Sequence, residues 1–377
     1  MGVSLERNDL RPARPKSLNA DHALVAAARG IPPRAMALTL GVTALLAAML
    51  AGMLLGPARI SPDGFLAVLR DLLGIAPLPD TFHRDAAVLG VVRAPRVLLG
   101  ALVGAGLGVA GATMQGLFRN PLADPGLIGV SAGAALAAVA AIVLGGTVFG
   151  TAAGMLGLWL LPVAAFCGGM LATLAMVRLG SIGGTTHVAT LLLAGVAVSA
   201  IATALTGLLI FSANDRQARD ITFWTLGSLS GARWAHLPVL LTLVRLPVLM
   251  LCTLARPLNA LILGEAAAFH LGIRVDAAKR AAILLSAIAV AAGVGFTGLI
   301  GFVGLVVPDL LRLGFGADHR IVLPGSALLG AALLILADLA ARSLAAPAEL
   351  PVGVVTALLG APFFLWLLRR RMTGAGP

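Results

Sequence analysis

Polar residues in this chain are confined to short intervals between long apolar blocks, and that arrangement constrains the fold more than any other feature. Ten blocks can be marked, at 35–56, 94–116, 123–145, 153–178, 188–211, 235–258, 278–298, 300–314, 321–343 and 352–369. Most run to about 20 residues, and a helix rising about 1.5 Å per residue then crosses a hydrocarbon layer of about 30 Å. A backbone in lipid must satisfy its own hydrogen bonds, so continuous apolar blocks of this length read as helices and not as alternating barrel strands. Charged residues make up 11% of the chain, against about 25% in soluble domains, so water is not the main solvent for this surface. The expectation is an all-α polytopic membrane protein of about ten transmembrane helices. A cytosolic tail would occupy 1–34, the membrane domain 35–371 and a C-terminal tail 372–377. The glycine-rich stretch 278–314 leaves three forms open: one long hairpin, a broken helix or two short spans.

Ten crossings return the chain to the side it started from. With the N-terminal tail inside, 17 of the 27 Lys and Arg fall on the cytoplasmic side and nine outside, with Arg245 inside a block. The positive-inside rule therefore places both termini in the cytoplasm. The net charge of +11 does not point to nucleic acid, because the arginines sit in short loops and form no basic stripe with interleaved aromatics. The tail lacks a signal-peptide cleavage site, and Glu6 stands where a myristoylation motif needs Ser or Thr. Cys167 and Cys252 both lie in apolar blocks and read as small core residues.

The stretch Arg93–Ala134 carries the densest pattern. Gly100, Gly104 and Gly108 lie at i, i+4 spacing on one helix face, which lets two backbones approach closely in lipid. The turn Arg119–Pro125 ends that helix, and Asp124 is placed to cap the next. Gly129-Val130-Ser131-Ala132-Gly133 matches the G-x-S-x-G nucleophile pattern, but an apolar helix surrounds it where a hydrolase needs a strand. Further on, Asn214–Arg233 is too polar to span and reads as an interfacial amphipathic helix anchored by Phe223 and Trp224. Leu229-Ser230-Gly231 faintly matches an ATPase signature loop. A phosphate-binding G-x-x-x-x-G-K-[ST] is missing, since Lys16 and Lys279 are the only lysines and neither follows a glycine, so ATP hydrolysis is not expected of this chain.

Leu261–Arg280 is a long polar segment on the cytoplasmic side, with Gly264 and Gly272 bracketing one or two short helices that bear Glu265 and His270. A short charged helical loop of this kind suits docking of a soluble partner. After it come Gly298-Leu299-Ile300-Gly301-Phe302-Val303-Gly304-Leu305-Val306-Val307-Pro308, Asp318-His319-Arg320, Leu336-Ala337-Asp338 with Arg342, Glu349-Leu350-Pro351-Val352-Gly353 and Gly360-Ala361-Pro362-Phe363-Phe364. From about Arg93 to Arg370 these motifs, in their order and spacing, resemble the FecCD-type permease subunits of ABC importers, which take up ferric siderophores, haem and vitamin B12. Asp309 departs from the pattern, which usually shows histidine there.

The resemblance implies a type II ABC importer permease in the bacterial inner membrane. It would be a homodimer with a path along the two-fold axis, served by two cytoplasmic ATPase subunits and a periplasmic substrate-binding protein. Gly264, Glu265, Ala266, Ala267, His270, Leu271 and Gly272 would form the coupling segment, within 261–280, that inserts into the ATPase. Arg93, Arg96 and Arg342 would meet acidic residues of the binding protein. All three fall at outer span ends in the topology above, and as exposed charges they would set orientation and encounter rate more than affinity. Asp338, one turn before Arg342, is a candidate to pair with it. No cofactor would be permanently bound: ATP acts on the partner subunits, and haem is cargo.

For the cargo, Arg219–Leu229 and Pro347–Pro351 look most like the haem-importing branch, with a ferric siderophore or vitamin B12 as alternatives. Haem ligation uses His, Tyr, Cys or Met, and this chain has no Tyr and only His83 and His236 outside, so no axial ligand is assigned. Met114 and Met155 read as packing residues. Arg245 reads as a snorkelling charge in a helix that Pro238 and Pro247 would break. An ion-coupled secondary transporter would need mid-span carboxylates, whereas Asp309 and Asp338 sit near block ends, and an intramembrane enzyme would need a nucleophile or metal motif such as H-E-x-x-H.

Overall fold

Ten helices answer to the ten apolar blocks in a computed structural model that describes residues 33–145, 154–182 and 185–372. They are α1 Pro33–Leu54, α2 Ala94–Phe118, α3 Val130–Leu144, α4 Leu160–Leu179, α5 Val188–Phe211, α6 Leu237–Thr253, α7 Val275–Thr297, α8 Val303–Phe315, α9 His319–Leu344 and α10 Val352–Met372. Among the described residues seven helical stretches are long and apolar enough to cross a membrane, and Val130–Leu144 and Val352–Leu367 are shorter apolar ones. The expected tails lie almost wholly outside the described residues; Pro33, Arg34 and Met372 already belong to the first and last helices.

The glycine-rich stretch resolves into two helices. Gly298, with φ +72°, and Phe302, with φ +67°, turn the chain between α7 and α8. With 13 residues, α8 is about 20 Å long and does not cross the hydrocarbon layer unaided. The turn is tied to the neighbouring loops: Ser228 N–H donates to Thr297 O at 2.7 Å, and Val352 N–H to Gly227 O at 2.9 Å. The polar interval before α6 forms the helix Asp215–Leu226, started by an Asn214/Gln217 capping box. Gln217 Nε2 also donates to the last carbonyls of α3, those of Ile142 and Val143. Phe223 is exposed, but Trp224 packs against the core, so one aromatic and not two is free to anchor at a membrane surface.

Packing centres on α2, which lies against α9, α7, α6 and α8. Its small-residue face works as its spacing implies: a methyl group at Gly104 would run into the Gly330 backbone of α9, and one at Gly108 into the Ser326 carbonyl. Ser131 sits in the first turn of α3, and no strand precedes it. Asp124 accepts from Gly126 N–H at 2.7 Å and so caps the short 3-10 turn Pro125–Ile128 ahead of α3; burial pushes its carboxyl above the ordinary range. Two other expectations need correction. The sixth helix runs unbroken through Pro247, and Cys167 faces outward from α4 and not into the core.

Candidate functional site

Two polar constellations stand at opposite ends of the bundle. The first begins where α6 gives way to the short helices Ala255–Ile262 and Glu265–His270, the end that the sequence reading places inside. Gly264, at φ +107°, supplies the turn between them in a backbone region that side chains rarely adopt. Gly272, at φ +80°, closes the second helix, and Val275 begins α7, so the last third of the expected 261–280 segment belongs to that long helix. Ala266, His270 and Leu271 are exposed and Ala267 half-buried, while Ala268 seats the helix on the body. Leu263 (70% exposed) and Phe269 (70%) flank them, apolar side chains that water would not retain without a partner. Phe269 falls inside the expected Gly264–Gly272 segment but was not singled out there; a large aromatic in a polar loop was the signal for it.

The helix is held by a single buried cation. Lys279, on the first turns of α7, places Nζ 2.6 Å from Glu265 Oε2 and donates to Thr186 O at 2.8 Å. Asp276 Oδ1 accepts from Thr186 N–H at 2.9 Å. Beside this region lies a cleft of about 310 Å³ walled by Arg119, Asn120, Arg312 and His319. Arg312 donates there to Gln115 Oε1 and faces Asp309 at 3.4 Å. Asp309, at the histidine position of the resembled pattern, is therefore a buried carboxylate with a cationic neighbour. Asp318 starts α9 as its N-cap. Against the upward push of partial burial, the Arg320 N–H and Asn259 amide hold its carboxyl below the usual range.

The outer constellation corrects an expectation. Arg93, Arg96 and Arg342 are not exposed; at 2%, 6% and 5% exposure all three are buried. Arg96 Nη2 lies 2.8 Å from Asp338 Oδ1, and its Nη1 donates to both oxygens of Glu349 at 3.0 and 3.1 Å. Arg342 pairs more loosely with Asp338, at 3.8 Å, and donates to Gly52 O. Arg93 donates to Met53 O and Ala58 O. The guanidiniums thus turn inward and tie the end of α1 to α2, α9 and the loop before α10. The pairing of Arg342 with Asp338, one turn earlier, was legible in the sequence, but the burial of Arg93 and Arg96 was not, because their partners are distant in the chain.

Of the two outer histidines, His83 is exposed beside Asp80, while His236 is wedged between the rings of Trp159 and Phe296 at centroid distances of 5.1 and 5.0 Å. Met114 is fully buried, as a packing residue should be, whereas Met155 is 90% exposed and packs nothing. Among the described residues no group of three or more His, Cys, Asp or Glu is placed to hold a metal.

Residues 44–370 match the family model described as the FecCD transport family. The hemin transport system permease protein HmuU of Yersinia pestis is 48% identical over 281 residues, covering 74% of this chain and 82% of that protein. The cobalamin import system permease protein BtuC of Halobacterium salinarum is 45% identical over 75% of this chain and 74% of its own, and the vitamin B12 import system permease protein BtuC of Escherichia coli 43% over 74% and 82%. A solved structure described as an inward-facing conformation of a metal-chelate type ABC transporter superposes with a TM-score of 0.74 at 32% identity, covering 88% of this chain and 98% of that one.

Proposed function

The chain belongs to the FecCD transport family and is the membrane permease of an ABC importer, and from that premise we propose that its cargo is haem. What supports the cargo is the 48% identity to a hemin permease across most of both chains. A corrinoid is the second reading, favoured by identities of 45% and 43% to cobalamin and vitamin B12 permeases. Both are metal chelates of tetrapyrrole type, too large for the closed helical core. The path is therefore assigned to the interface of two copies, for which the outward apolar side chains of α5, among them Leu193, Val196 and Ile201, offer unpaired surface.

The observation that carries the mechanism is the short cytoplasmic helix Glu265–His270, with exposed Leu263, Phe269 and Leu271 around it. Such a knob fits a groove on a soluble partner, and Gly264, Glu265, Ala266, Ala267, His270, Leu271 and Gly272 are proposed as the segment that engages each ATPase subunit. ATP then acts on those subunits and not on this chain, which holds no resident cofactor. The outer rim would receive the periplasmic binding protein, with Arg93, Arg96 and Arg342 shaping that rim from within. Both termini lie in the cytoplasm of a bacterial inner membrane under this reading.

The test is reconstitution with the ATPase and binding protein encoded beside it in proteoliposomes, offering haem, cobalamin and a ferric siderophore in turn. ATP-dependent, vanadate-sensitive haem uptake is the expected outcome. Uptake of cobalamin alone establishes the second reading, and uptake that follows an imposed proton gradient without ATP overturns the importer mechanism.

A further inference from the structure

The geometry points to Lys279 as the positioning residue that transmits movement of the cytoplasmic helix Glu265–His270 to α5. The inference rests on the coupling role proposed above for that helix. Three observations support it. Lys279 is 2% exposed, yet its ammonium touches two separate segments: Glu265 on the cytoplasmic helix and the carbonyl of Thr186, which stands two residues before α5 begins. Thr186 is held through both backbone groups by one face of α7, since Asp276, three residues before Lys279, takes its N–H. Finally, α5 is the least buried of the long spans, at 17% of its apolar window, and its main helix contacts are with α3 and α4 and not with the α2–α7–α9 core.

These facts combine into a lever. A knob pushed by a soluble partner must pass its displacement to some membrane helix, and a helix packed on all sides resists displacement. The loosely packed α5 yields more easily, and the Glu265–Lys279–Thr186 chain leads to its entry point. A lysine suits the joint because its compact charge can serve a carboxylate and a carbonyl at once from the end of one flexible stem. Lys279 is the only lysine of the chain beyond Lys16, so arginine, the cation used everywhere else, is absent where three segments converge.

The test uses the full reconstituted complex and compares uptake per ATP hydrolysed with the amount of ATPase subunit that co-purifies. Lys279→Met should leave co-purification and ATP hydrolysis near wild type while uptake per ATP falls at least about fivefold, and Lys279→Arg should restore only part of it, because Arg keeps the charge but not the compact ammonium at a site that is 2% exposed. Glu265→Gln, at a side chain that is 45% exposed and safe for folding, should reproduce the loss if Lys279→Met does not accumulate. Spin labels at Ala266→Cys and Ala189→Cys, with Cys167 and Cys252 replaced, should report one sharp distance in the parent protein and a broadened one in Glu265→Gln. Wild-type coupling in both variants, or equal impairment of Lys279→Arg and Lys279→Met, overturns the proposal. Failure of the unaltered chain to bind the ATPase would instead overturn the permease reading on which it rests.

Discussion

α2 and α5 are nearly equal in length, 25 and 24 residues, and both are apolar throughout, yet they live in different surroundings. The span containing α2 buries 78% of its apolar window inside the subunit, and α5 buries 17%. Hydrophobicity does not separate them; side-chain size does. α2 carries glycines at 100, 104, 106, 108, 111 and 116, and three of these meet the backbones of α8 and α9 directly. α5 carries Gly195 and Gly207 among leucines, isoleucines and valines that face outward. In lipid, apolar side chains gain little by leaving lipid for protein, so close backbone approach decides which helix enters the centre. The lesson is that the centre of this subunit is built from small residues and its exposed edge from large ones.

The sharpest way to break that comparison is a matched pair of substitutions. Gly104→Leu forces a branched side chain into the Gly330 backbone, and we expect folded protein to be lost, measured as monodisperse yield in detergent. Gly207→Leu on α5, where nothing lies within 4 Å of the added carbon, should leave yield and thermal midpoint close to the parent. If both behave alike, glycine spacing is not what organises the bundle.

A smaller effect is expected at the outer arginines. Asp338→Asn removes the carboxylate that Arg96 and Arg342 share and leaves Arg342 without a carboxylate partner and Arg96 with Glu349 alone, and breaking a buried pair in this way costs up to about 3 to 5 kcal/mol. Glu349→Gln, at a side chain that is 44% exposed, should cost less than about 1 kcal/mol. Thermal unfolding in detergent orders the two, and the reverse order would mean that the loop carboxylate, not the helix one, holds the cluster. The smallest effect is expected from Arg245→Leu. That side chain is exposed on α6 and snorkels in the membrane reading, so assembly and uptake should stay near parental levels. Lost uptake at normal expression would instead give Arg245 a place in the path.

Much of this was legible in the chain itself. All ten apolar blocks became helices, the glycine face of α2 met a partner backbone, and Gly264 and Gly272 bracketed a short helix. These features are local: periodicity, block length and backbone freedom act within a few residues. The outer arginines show where such reasoning stops. Their positions at span ends were correct, but their exposure was not, because burial is set by Asp338, 242 residues from Arg96, and by Glu349, 253 residues away. Lys279 shows the same limit from the other side. Nothing in its own segment marks it as buried, and only the meeting of α7 with Glu265 and Thr186 made it a buried joint. The sequence by itself determined that the chain enters the membrane, which blocks become helices and where the backbone must bend, since solvent and backbone chemistry act on every residue alone. Which charges are paired and which helix is left loose was decided by tertiary contact, because both depend on partners that the order of residues does not bring together.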